Sequence, residues 1–186
     1  DGQLTLESSV GNVDPLSSLI LTNTTVGGAE LNGEIRTIDL VDLSGSAKIE
    51  LGSDVSLVAT DGDGQILLDG GAIDGAFGLT AAAGGNVTIG ATGQTTRLQR
   101  LRIVGNAGDL NNSGSINISG AIRVVDTAEF VVEATTNPDN DITVAGAVVA
   151  ADAIFNAASQ DVIFSTAQDN TGNITVTAGV VIDVNS

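Results

Sequence analysis

The sequence predicts an all-β chain and, within that class, a right-handed parallel β-solenoid. Three observations carry the prediction. Apolar and polar residues alternate over short runs, and a period of 2 is the mark of a half-buried strand. Gly, Asn, Asp and Ser punctuate those runs, at roughly the eight-to-twelve-residue spacing of successive short strands, where turns need positive φ or a local side-chain acceptor. No segment sustains a 3.6-residue period between helix caps, and "TAAAGG" is too short and ends on glycine.

The strands can be placed in order. "GQLTL" puts Leu4 and Leu6 on one face of a first strand, and "DPLSSLIL" supplies Leu16, Leu19 and Leu21 for a second apolar segment. Further alternating pairs follow at Val87/Ile89, Leu101/Ile103, Ile116/Ile118, Ile142/Val144, Ile174/Val176 and Ile182/Val184. The core must come from aliphatic and small side chains: 42% of the residues are hydrophobic, yet there are only four Phe and no Trp, Tyr, Met or Cys. A solenoid interior is narrow and suits Val, Ile, Leu and Ala. The alternative is a tandem pair of immunoglobulin-like β-sandwiches, whose domains have a similar length but usually carry a core Trp or a corner Tyr.

Internal matches organise the chain at long range. "GQLTL" at Gly2–Leu6 recurs as "GNVTI" at Gly85–Ile89 and "GNITV" at Gly172–Val176. Gly11, Leu16, Leu19 and Leu21 correspond to Gly93, Leu98, Leu101 and Ile103, and Gly33–Asp39 to Gly120–Asp126. The second copy is longer between Ile103 and Gly120, where it carries "AGDLNNSGS". This reads as one continuous solenoid in two copies, residues 1–84 and 85–171, with the start of a third at 172–186. A run that opens and closes in mid-pattern is expected either to come from a longer array or to be completed by the next subunit, head to tail.

Composition also bounds the chemistry. Without Cys or His there is no thiol nucleophile, no imidazole base and no Cys/His zinc site. A net charge of −17 argues against nucleic acid as a partner, since phosphate neutralisation takes many Lys and Arg. No apolar run approaches the roughly 18 residues of a membrane-spanning helix, so membrane insertion is not expected.

In the style of its turn-strand units the chain resembles the long repetitive surface proteins of Gram-negative bacteria, the filamentous-haemagglutinin-like "β-strand repeat" kind. The resemblance rests on "GGNVTIGATG", "DPLSSLILTN", "GSINISGAIRV" and "GNITVTAG". It implies secretion to the extracellular space or cell surface, a solenoid shaft, and an adhesive or matrix role. Self-association into fibres and contact with host or surface glycans would go with it. It brings no catalytic residues.

Two groups of residues stand out as candidate sites. Asp61, Asp63, Asp69 and Asp74 lie among glycines in "DGDGQILLDGGAIDG", the kind of hard-oxygen, tight-turn stretch that suits Ca²⁺, the one cofactor considered. The EF-hand spacing fails, since position 12 is Ala72, and the calcium-roll nonapeptide is absent. An enzyme is not expected: paired carboxylates can cleave glycosidic bonds, but the basic and aromatic partners of such sites are missing. The second group is basic. Arg97, Arg100 and Arg102 are half of the six basic residues. Leu98, Leu101 and Ile103 should point inward, leaving Arg100 and Arg102 on the outer face as a candidate assembly contact. Arg36 and Arg123 recur at matched positions with Asp39 and Asp126, as local salt bridges or as contacts between coils or fibres.

Overall fold

The structure, a computed structural model, describes residues 3–22, 28–105 and 116–119 in full, and the backbone of further strands between residues 122 and 184. The first ten strands are β1 (Leu4–Leu6), β2 (Leu16–Ile20), β3 (Ala29–Asp42), β4 (Lys48–Ala59), β5 (Gln65–Leu68), β6 (Ala72–Asp74), β7 (Gly78–Ala83), β8 (Val87–Ile89), β9 (Arg100–Gly105) and β10 (Ile116–Ile118). Eight more follow: β11 (Ile122–Arg123), β12 (Glu129–Ala134), β13 (Ile142–Val144), β14 (Val148–Val149), β15 (Asp152–Asn156), β16 (Val162–Phe164), β17 (Ile174–Thr177) and β18 (Ile182–Val184). There is no helix among the described residues. Every alternating pair expected from the sequence falls in a strand.

All pairings between these strands are parallel. Sixteen strands form one hydrogen-bonded sheet, and β11 and β14 form a second pair. A sandwich would need two facing, mostly antiparallel sheets, so the tandem-sandwich alternative is excluded. The protein is a parallel β-solenoid.

One coil can be followed through β3, which bends through three ladders. Residues Ala29–Leu31 pair with β1 below and β4 above, Gly33–Thr37 continue along β4, and Leu40–Asp42 pair with β5. The first bend falls at Gly33, where the register with β4 shifts. Its φ of 78° is a left-handed conformation that a side chain would resist. The Gly33 amide, turned out of the ladder there, donates to Ser53 Oγ at 3.0 Å.

Inward side chains stack on their own kind from coil to coil. Ile35, Leu57, Ala81 and Ile103 lie in register, so successive coils advance by 22, 24 and 22 residues. On the next side Leu19, Val41, Ile66, Val87 and Ile116 do the same. From Val41 onward these ladders are buried, whereas Leu4, Leu6 and Leu19 of the first coil are only partly covered. Full burial of an aliphatic side chain stabilises by about 1.5–3 kcal/mol, which makes these ladders the main source of cohesion.

The long-range sequence matches do not set the stacking. Leu4 pairs with Ala29, Val87 with Ile66 and Ile116, and Ile174 with Ala153, so the three matched "GxxTx" segments occupy different positions in their ladders. The stacking unit is the single coil. The step from Val87 to Ile116 is 29 residues, and the longer "AGDLNNSGS" connection lies within it.

Candidate functional site

The outer face of β3, β4, β7 and β9 carries the basic patch. Burial alternates along β9, with Leu101 and Ile103 inside and Arg100 and Arg102 exposed, as the sequence predicts, and Leu98 is also buried. Arg97 is exposed in the segment preceding β9. Registration with lower coils places Arg102 above Thr80, Ser56 and Glu34, and Arg100 above Gly78.

Arg100 has an intramolecular setting that the sequence did not reveal. A side chain at Gly78 would meet Arg100 Nη2 at 3.0 Å and Asp54 Oδ1 at 3.2 Å, so the guanidinium occupies the space that glycine leaves open. The Gly78 amide itself donates to Asp54 Oδ1 at 2.7 Å. Asp54 and Arg100 thus flank one glycine from adjacent coils.

Arg36 does not pair with Asp39. Its nearest carboxylate is Glu34, two residues back on the same outer face, at 3.8 Å. Asp39 instead accepts from Ser17 Oγ at 3.0 Å. The physical reason is the pleat: residues two apart share a face, whereas Arg36 and Asp39 are separated by an odd step and by the corner after Thr37. Both partners of the observed pair are more than a third exposed, so its contribution lies at the low end of about 0–1 kcal/mol. Arg36 Nε is shielded and finds no hydrogen-bond partner. Arg123 ends β11 in register with Val149; its side chain and Asp126 lie outside the described residues.

The four aspartates of the acidic stretch do not converge. Asp61 and Asp63 are exposed in the turn between β4 and β5, where Asp61 Oδ1 accepts the Gly62 amide at 2.9 Å. Asp69 is exposed just after β5. Asp74, at the end of β6, is 4% exposed. Its Oδ1 accepts from the Thr95 amide at 2.8 Å and the Thr96 amide at 3.2 Å, one coil on. It is a loop-holding acceptor, with its carboxylate committed to the chain itself. Among the described residues no three Asp or Glu side chains gather as a metal site.

Glutamates do line up on the β3–β4–β6 side. Glu30 and Glu50 are in direct register, an arrangement that like charges disfavour. Lys48 Nζ lies 2.9 Å from Glu50 Oε1, and Gln3 donates to Glu30 Oε2 at 3.4 Å, which offsets part of the repulsion. These glutamates border an open groove of about 300 Å³, lined also by Leu51, Gly52, Gly75 and Thr96. None of its lining residues is aromatic, and the ammonium of Lys48 stands beside Glu50 at its edge. A second hollow, about 270 Å³, lies between Asp39, Leu40, Asp63, Gln65 and Leu67.

No helix of the described residues is long and apolar enough to cross a membrane. Comparison with protein-family models, with curated proteins and with solved structures finds no match to this chain.

Proposed function

We propose that the chain is a structural and adhesive segment of a secreted bacterial surface fibre or matrix filament, placed in the extracellular space or on the cell surface. The observation that carries this reading is the coil-on-coil stacking: parallel ladders bury aliphatic side chains along the axis, and each coil rests on its neighbours. Such an element transmits load along its axis and presents long flat faces. The acidic exterior keeps it hydrated and self-repelling except where charges are arranged to meet. The style of its repeats, similar to filamentous-haemagglutinin-like proteins, supports the same reading. Its partners would be other copies and surface glycans.

Electron microscopy over a concentration series tests this reading. Fibres that lengthen as concentration rises are expected, alongside a β-rich circular dichroism spectrum. Particles of one fixed length at every concentration, with no retention on glycan-coated surfaces, would overturn it.

A further inference from the structure

In a solenoid, position in the sequence becomes height along the axis, so a charge bias along the chain becomes a banded surface. No Asp or Glu occurs from Gly75 to Gly108, and Arg97, Arg100 and Arg102 all fall in that interval. The face built by β3, β4, β7 and β9 crosses the boundary between an acidic and a basic band. Its β3–β4 half presents Glu34, Arg36 and Asp54, a sum of −1, and its β7–β9 half presents Arg100 and Arg102, a sum of +2. Between these ends lie Ser56, Val58, Thr80 and Ala82, all small and half-buried.

We propose that this face pairs with the same face of a second copy, the two solenoids running antiparallel. The operator is a twofold axis lying in the interface, parallel to the strands, between β4 and β7. Glu34, Ser56, Thr80 and Arg102 form one register column, so Glu34 and Arg102 are three strand spacings apart, about 14 Å. The twofold reverses that column. It sets Arg102 of each copy opposite Glu34 of the other, and Thr80 opposite Ser56. An isologous contact of this kind must be self-complementary. This four-residue stretch of the column, with opposite charges at its outer positions and small residues between them, meets that condition; above Arg102 the column runs on to Val131 of β12.

The charge of the whole molecule selects the face. At −17, two copies repel one another, and the contact must use a surface where that repulsion is locally reversed. The Glu30–Glu50 side cannot serve, because its acids would meet acids. The pairing rests on the fibre reading above, as its lateral contact, and has its own test.

Sedimentation of the full chain at about physiological ionic strength, with Arg102→Glu and Glu34→Arg, provides that test. Wild type should sediment as a dimer at concentrations below those at which fibres form. Each variant, with a wild-type circular dichroism spectrum, should lose the dimer, since like charges would then meet twice. Mixing the two variants in equal amounts should restore it, because the mixed pair sets Glu opposite Arg at both contacts. As a second measurement that leaves the charges intact, copies carrying Ser56→Cys and copies carrying Thr80→Cys should cross-link on mild oxidation, the natural chain having no cysteine. A monomeric wild type, a dimer indifferent to both substitutions, or failure of the mixture to recover overturns the pairing. Fibre growth by end-to-end stacking in microscopy would still stand if the lateral dimer were absent, so the two readings fail separately.

Discussion

Replacing Asp74 by alanine tests whether this residue holds the Gly93–Arg97 loop or merely decorates an acidic turn. The residue is 4% exposed, and its Oδ1 accepts two backbone amides, Thr95 at 2.8 Å and Thr96 at 3.2 Å. Hydrogen bonds to a charged group contribute about 1.5–3 kcal/mol each, and stripping the acceptor leaves the donors to find water or go unsatisfied. The second bond is long, so it belongs at the bottom of that range or below, and the total loss is about 3 kcal/mol. In a chain of this size that lowers the melting temperature by about 6–12 °C. Stability in a coil-stacked protein is shared mainly between neighbours, so the loss should also be local. Amide exchange at Thr95 and Thr96 should accelerate about 100-fold, while Ile66 and Val41 keep their protection. Asp74→Asn retains an acceptor oxygen and should cost only about 1 kcal/mol. Equal melting of the alanine and asparagine variants, or an alanine variant within 2 °C of wild type, would refute the reasoning.

Three further outcomes follow from the same geometry. Thr92→Val should stabilise by about 1 kcal/mol in thermal melts, because the Thr92 hydroxyl is fully buried with no hydrogen-bond partner and valine fills the same volume without it. Gly84→Ala should destabilise by about 2 kcal/mol or more in the same assay, since the new methyl would collide with the Asp61 carbonyl oxygen of the coil below and the turns would have to part. Leu57→Ala, in the middle of the Ile35–Leu57–Ala81 ladder and fully buried, should cost about 2–5 kcal/mol in denaturant titrations, with amide exchange fastest in the adjoining coils.

Much of the architecture is legible without coordinates. A strand's pleat is local, so the alternation around Leu101 and Ile103 alone tells which side chains are inside and that Arg100 and Arg102 are outside. The aliphatic, Trp-free composition likewise favours a narrow interior over a sandwich. The candidate site is less legible. Asp74 looks identical to Asp61, Asp63 and Asp69 in sequence, each followed by glycine. Only the turn of the following coil brings the Thr95 and Thr96 amides to one of them. Arg36 was aligned with Asp39 by its neighbourhood in the chain, but the pleat and the corner after Thr37 leave Glu34 as its partner.

By itself, the sequence determined the strand runs, the inward and outward assignment of their side chains, and the charge bands along the chain, because each depends on residues a few positions apart. Which strand rests on which was decided only by the tertiary structure. The segments matched some 85 residues apart are not stacked on one another. Real registration follows the 22- and 24-residue closure of successive coils, which depends on the bends at Gly33 and at the other corners together. That closure places Gly78 beneath Arg100, Glu34 three strands below Arg102, and Asp74 against the next coil's amides. Contacts set by the sum of several turns cannot be read from any one of them.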